Sequence, residues 1–193
     1  MKNILLLLPN GFELLEAAAF TDIFGWNMVA GNRSAKLYTA GQNKDVPTSF
    51  GHTIHTHYTF AEVHSAYFEA LALPGGFARY DYFSTANDDE FLRIIKEFAA
   101  ENKPIAAVCT ASILLGKTGI LNNRHATTYQ GENGRWLDQL ATLGAQVTTE
   151  QICIDGPIIT GSGPSSAIPV ALKLLEMTIG HKTAESISDM MGF

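Results

Sequence analysis

Cysteine is scarce in this chain, which has only two cysteines, Cys109 and Cys153, among 193 residues. Two cysteines cannot build the disulfide framework that holds a small secreted domain together. We therefore expect a cytoplasmic protein, since free thiols persist in a reducing compartment.

Basic residues and long apolar runs are also few. The 13 Lys and Arg residues are outnumbered by 19 Asp and Glu, so the formal net charge is -6. Nucleic acid is not an expected partner, because phosphate binding needs clustered Lys and Arg. No apolar run approaches the ~18 residues of a membrane span, and the run at 4–8 is too short for a signal-peptide core. We expect no membrane partner.

Short apolar runs alternating with helical patterns make up most of the chain. Continuous apolar runs at 3–8, 70–73 and 105–108 are typical of strands buried on both faces of a parallel sheet. Further strands are predicted at 35–40, 125–129, 147–149, 151–154 and 157–160, and helices at 13–29, 88–100, 111–115, 134–143, 165–179 and 182–191. This alternation predicts a single α/β domain over 1–193, a mostly parallel sheet with helices on both faces.

One cysteine lies where a predicted strand meets a predicted helix. Cys109 directly follows the run 105–108 and precedes the helical pattern from Ala111. A side chain at such a turn faces the N-terminus of the helix, which favours negative charge and lowers a thiol pKa below its usual ~8.5. The alternative is a small buried cysteine of the core, because free Cys is often fully buried.

Four loops at the expected carboxyl edge of the sheet carry a recognisable set of motifs. They read Pro9-Asn-Gly-Phe-Glu-Leu-Leu-Glu16, Leu73-Pro-Gly-Gly76, Ala107-Val-Cys-Thr-Ala-Ser112 and Ile159-Thr-Gly-Ser-Gly-Pro164. In this order and spacing, over about residues 2–180, the chain resembles the ThiJ/PfpI family of the class I glutamine amidotransferase-like superfamily. The resemblance implies a flavodoxin-like three-layer sandwich, a nucleophile elbow at Cys109 and a homodimer, with no cofactor or metal.

The resemblance also assigns roles to residues around the cysteine. Glu16 matches the family's acid that hydrogen-bonds the sulfur, and beside a thiolate it should be protonated and act as general acid and base. Glu13 is the rival acid, although it suits the start of a helix. The backbone N–H groups of Gly75 and Thr110 would form an oxyanion hole. Taken alone, Pro74-Gly75-Gly76 is more typical of a simple turn after a strand, while the resemblance makes Gly76 a possible pocket residue.

Two departures from the family pattern reduce the number of family functions that we expect of this chain. Thr110 stands where the protease-like and chaperone-like branches have histidine, which weakens an assignment as an intracellular peptidase and favours the branch of isocyanide hydratases. Tyr129 ends a strand in which many members have histidine, and a phenol is a poor base at neutral pH. The late His-x-Glu pair of glutamine amidotransferases is missing, so glutaminase activity is not expected.

Other features receive mainly structural interpretations. Phe77 and the aromatic residues after it suggest either a pocket wall, together with Tyr129, or a dimer contact. The histidines at 52, 55 and 57 are interpreted as exposed residues rather than a zinc site, and Cys153 as inert core. The loop 161–163 is interpreted as a helix-capping turn rather than an anion site, and the lack of arginine near it argues against an anionic substrate.

Three functions remain open from the sequence. The first is a cysteine-dependent enzyme in which Cys109 attacks a small electrophile, such as an isocyanide or a 2-oxoaldehyde, with Glu16 moving the proton. The second is redox sensing or stress protection through oxidation of Cys109 to a sulfinate. The third, ligand sensing, ranks last because the chain has no helix-turn-helix segment and no basic patch.

Overall fold

A seven-stranded sheet forms the centre of the protein in the computed structural model, which describes residues 1–193. The strands, including those of two small separate sheets, are β1 (Lys2–Leu8), β2 (Ala35–Gly41), β3 (Asp45–Pro47), β4 (Thr53–His55), β5 (Tyr58–Thr59), β6 (Ala70–Leu73), β7 (Ile105–Val108), β8 (His125–Ala126), β9 (Gln146–Val147), β10 (Ile152–Asp155) and β11 (Ile158–Gly161). The helices are α1 (Leu14–Val29), α2 (Tyr82–Ala86), α3 (Asp89–Ala100), α4 (Ala111–Lys117), α5 (Arg135–Thr142), α6 (Ala167–Ile179) and α7 (His181–Met191).

The central sheet has the order β10-β11-β7-β6-β1-β2-β5, and β10 alone runs antiparallel to its neighbour. Every residue of β6 and β7 is buried, which explains why these strands have no polar face. Helices α1, α6 and α7 pack against one another, and α3 packs against β6. The predicted α/β sandwich of flavodoxin-like type is confirmed.

The strand order fixes the position of the site. Strands β1, β6, β7 and β11 are neighbours and parallel, so their carboxyl ends meet at one edge of the sheet. The loops that follow them contain the four motifs of the sequence. Ligand sites of open α/β sheets lie at this edge.

The predicted strand at 125–129 is shorter in the structure. Only His125–Ala126 pairs as a strand, because the next residues bond elsewhere. The N–H of Thr127 donates to Oγ1 of Thr160 at 3.0 Å. The hydroxyl of Thr128 donates to the backbone carbonyl of Cys109. Helix α6 also starts later than predicted, after one turn of 3₁₀-helix at Pro164–Ser166.

Two interpretations of single residues are corrected or refined. Cys153 is not a core residue: it lies half-buried on the edge strand β10, and its neighbour Ile154 is 48% exposed. His55 and His57 make separate contacts. His55 pairs with Asp45 at 2.8 Å, and Nδ1 of His57 accepts the backbone N–H of Thr39 at 3.1 Å. No helix of the fold is long and apolar enough to span a bilayer.

Candidate active site

Cys109 forms the elbow between β7 and α4. Its φ of 58° lies in the left-handed region, which is unfavourable for a residue with a Cβ and costs of order 1–3 kcal/mol. Two hydrogen bonds hold it there: the Cys109 N–H donates to the Gly161 carbonyl, and the Thr128 hydroxyl donates to the Cys109 carbonyl, both at 2.8 Å. The predicted nucleophile elbow is present, and the segment after β8 helps to hold it.

Glu16 is the buried acid of the site. It lies in the first turn of α1 with no exposed surface, and its Oε2 accepts the Gly75 N–H at 2.6 Å. Its Oε1 has no hydrogen-bond partner, and the neighbouring thiol of Cys109 lowers the pKa of the carboxyl slightly against the effect of burial. Burial, reinforced by the charge of Glu13, raises the pKa of Glu16 to about 8. Glu16 therefore holds a proton at neutral pH.

The pKa of the Cys109 thiol is shifted in the opposite direction from the one expected at a helix N-terminus. Cys109 is 6% exposed, and burial followed by the negative charge of Glu16 raises its pKa, while the N–H of Thr110 lowers it. The expected lowering is wrong because desolvation outweighs one N–H donor of a seven-residue helix. Cys109 and Glu16 form a coupled pair. Because the pKa of Glu16 is about 8 and that of Cys109 is raised well above its ordinary value, the carboxyl loses its proton before the thiol does. A thiolate then forms when the thiol passes its proton to the Glu16 carboxylate.

Gly75 supports the pair rather than the substrate. Its N–H is the donor to Glu16, so this structure does not leave it free for an oxyanion, contrary to the expectation from the sequence. A Cβ at Gly75 would lie 2.8 Å from the Cβ of Cys109 and 3.0 Å from the Thr110 nitrogen. Only glycine allows this close approach. The N–H of Thr110 remains as the donor beside the sulfur.

The side chain of Thr110 joins the two loops of the site. Its hydroxyl donates to the Gly76 carbonyl at 3.0 Å and accepts the Gly76 N–H at 3.1 Å. Thr110 is 3% exposed, so water does not compete for these groups. This is a structural use for threonine at the position where other branches of the family have histidine.

Replacing Thr110 with valine should destabilise the protein by about 1–3 kcal/mol, because both buried Gly76 groups would lose their partner. The measurement is the urea unfolding midpoint. Thr110→Ser keeps the hydroxyl and should stay within about 1 kcal/mol of wild type. A loss in Thr110→Val no larger than that in Thr110→Ser would contradict the role given to the hydroxyl.

Cys109 faces a cleft with a volume of about 500 Å³. Gly76, Phe77 and Tyr129, the predicted pocket residues, line it together with Cys109 and Thr110. The sequence interpretation missed six further lining residues: Glu13, Ala78, Arg79, Glu132, Trp136 and, beside it, Arg135. Pro164, from the loop thought to be only a helix cap, also lines the cleft.

The missed residues share one property, which is their distance in sequence from the cysteine. The sequence favours Glu13 as an acid at the start of a helix. Glu13 precedes α1 but makes no side-chain capping bond, and burial raises its pKa. Arg79 follows closely after Gly76, so the loop motif itself was a usable signal. The residues of α5 reach the cleft only through the tertiary fold.

A cysteine on a nucleophile elbow beside a buried acid, at the carboxyl edge of a parallel sheet, defines an α/β domain of the amidotransferase-like type. The sequence model of the DJ-1/PfpI family matches residues 2–177. The chain belongs to the DJ-1/PfpI family, which confirms the resemblance drawn from the four motifs.

Individual relatives include proteins named for enzymatic activity. An isonitrile hydratase of Pseudomonas putida is 31% identical over 119 residues, 62% of this chain and 49% of that protein. Deglycase PfpI of Pyrococcus furiosus is 27% identical over 163 residues, covering 84% of this chain and 90% of that protein. Drosophila melanogaster DJ-1beta superposes with a TM-score of 0.85 at 24% identity, covering 98% and 97% of the two chains, which shows the fold. The match spans about half the length of the isonitrile hydratase.

Proposed function

We propose that this protein is a cysteine-dependent enzyme that acts on a small electrophile, through hydratase-like or glyoxalase- and deglycase-like chemistry. The observation that carries the proposal is Cys109 at the wall of the cleft, with the acid Glu16 buried behind it. A cleft of about 500 Å³ suits a small molecule. The names of two relatives, isonitrile hydratase and deglycase, support an enzymatic function.

An isocyanide would react as follows. The Cys109 thiolate forms a bond to the terminal carbon while the Glu16 carboxyl gives that carbon its proton, which yields a thioimidate. Water then adds to the same carbon, and the Glu16 carboxylate accepts a proton from it. The carbon–sulfur bond breaks, the thiolate returns, and one isocyanide plus one water has become one N-substituted formamide.

A 2-oxoaldehyde would use the same groups. The thiolate adds to the aldehyde carbon, and the oxygen that becomes negative takes the proton of Glu16. The N–H of Thr110, which adjoins the sulfur, would donate to this charge. Glu16 then moves the proton from the aldehyde carbon to the neighbouring carbonyl carbon. The hydroxyl proton moves to the neighbouring oxygen, which leaves a 2-hydroxy thioester. Water hydrolyses the thioester to a 2-hydroxy acid and frees the thiol.

Cys109→Ala should abolish turnover of both substrates, with a loss of at least ~10³-fold, because the covalent steps need the sulfur. The measurement is formamide formation from a small isocyanide and loss of methylglyoxal by purified wild type and variant. Cys153→Ser is the matched control and should retain wild-type rates, because Cys153 lies outside the cleft. Equal activity of wild type and Cys109→Ala would remove the proposal.

Oxidation of Cys109 is the alternative function, favoured by the Thr110 N–H and Glu16 carboxyl that adjoin the sulfur and would bond a sulfinate. The intact mass of the protein, measured after treatment with mild peroxide, distinguishes the sensing function from the catalytic one. A stable adduct of two oxygen atoms confined to Cys109, without turnover of either substrate, supports the sensing function.

A further inference from the structure

We propose that the cleft selects electrophiles that carry a carboxylate, such as an isocyanide or a 2-oxoaldehyde with a carboxylate substituent, and that Arg79 and the indole N–H of Trp136 bind this group. The inference deepens the proposed function, because it names the substrate class for the same Cys109 site. It reverses the sequence-based expectation, which found no arginine near the loop 161–163.

Trp136 presents a donor without a partner. The side chain is 8% exposed and lines the cleft, and its Nε1 is buried and makes no hydrogen bond. The ring is also fixed. Phe83 stacks on it at 5.2 Å with an interplanar angle of 19°, and the Arg135 guanidinium lies 4.4 Å from the ring centroid. Buried N–H groups normally find an acceptor, so a ligand oxygen is the missing partner we infer.

Arg79 supplies the positive charge that would bind the substrate carboxylate. It lines the same cleft, and its guanidinium lies 4.8 Å from the Tyr80 ring centroid and 5.8 Å from that of Phe77. Stacking on two rings restricts the side chain without using its N–H donors. Arg79 forms no ion pair with any carboxylate of the protein. Its planar fork suits a carboxylate.

Arg79 is the one cation of the cleft wall without an ion pair. The other cation, Arg135, is paired with Glu132. Glu13 also lines the cleft, is half-buried and makes no ion pair with Arg79. A substrate carboxylate would complement the unpaired charge of Arg79.

The test compares two alkylating reagents that differ mainly in charge, iodoacetate and iodoacetamide. Both alkylate the Cys109 thiolate through their CH₂ carbon and release iodide, so the measurement does not depend on catalytic turnover. Rates are measured by intact mass in a Cys153→Ser background. The iodoacetate to iodoacetamide ratio is divided by that of N-acetylcysteine in the same buffer, which removes the intrinsic difference between the reagents.

We expect the normalised ratio of the wild-type cleft to be about 10 at low salt and to fall with ionic strength. Arg79→Gln should bring it close to one. Trp136→Phe keeps an aromatic ring for stacking but lacks the N–H, and should lower the ratio by roughly threefold. Lys182→Gln removes the same charge from an exposed position on α7 and should leave the ratio unchanged.

A wild-type ratio near one, or a ratio that Arg79→Gln does not change, would overturn the inference while leaving the proposed reaction intact. A high ratio that depends on Arg79, without turnover of methylglyoxal or an isocyanide, would support the inference and count against the reaction. Failure of Cys109 to react with either reagent would reject both.

Discussion

Replacing Glu16 with glutamine should raise the free energy of unfolding at alkaline pH by roughly 5 kcal/mol. The pKa of Glu16 rises from its ordinary 4.5 to about 8 in the folded protein. One pKa unit corresponds to ~1.4 kcal/mol, so ionisation of this buried carboxyl is costly. Glutamine keeps an oxygen for the Gly75 N–H and cannot ionise.

The sign follows from where the proton is bound. Between about pH 4.5 and about pH 8 the folded protein keeps the Glu16 proton and the unfolded chain does not. The stability that comes from this group is therefore fully present below pH 4.5 and is lost as the pH rises through about 8. Wild type should lose stability over this window relative to Glu16→Gln.

Urea unfolding at several pH values measures this difference, best in a Cys109→Ala background, which removes the coupled thiol. Glu69→Gln removes the same charge from an exposed position and should give a difference from wild type that does not change with pH. A pH-independent difference for Glu16→Gln would mean that Glu16 is not held protonated. Its assignment as the proton donor would then fail.

Replacing Gly75 with alanine should disable the site and destabilise the fold together. The new Cβ would lie 2.8 Å from the Cys109 Cβ, 2.9 Å from the Val108 carbonyl oxygen and 3.0 Å from the Thr110 nitrogen. Two of these three are backbone atoms of the elbow and cannot move alone. We expect a loss of about 1–3 kcal/mol in stability and at least ~10²-fold in turnover, because the methyl group also covers the Thr110 N–H.

Gly25→Ala is the matched control for this variant. Gly25 lies within α1, and a Cβ there would meet no atom within 4 Å. Alanine should stabilise the helix by roughly 0.5–1 kcal/mol and leave turnover unchanged. Wild-type turnover in Gly75→Ala, measured with the same substrates, would show that the elbow tolerates the contact and that Thr110 is not the donor to the substrate.

The pattern of apolar runs was sufficient to predict the central strands. A strand segment buried on both faces must be apolar throughout, and β6, β7 and residues 4–8 of β1 are. The segment 125–129 was predicted less well, because its threonines bond to Thr160 and to the Cys109 carbonyl instead of continuing a strand. Propensity cannot show such a choice between partners that lie far apart in the chain.

By itself, the sequence determined the family, the parallel sheet and the elbow, because these follow from short-range patterns and from motifs that occur in a fixed order. The tertiary structure alone decided the charge states and the cleft. The raised pKa of Cys109 depends on burial, and the Gly75 N–H is taken by Glu16. Arg79 and Trp136 reach the same cleft from separate elements. Burial and proximity are properties of the packed chain, and no local pattern contains them.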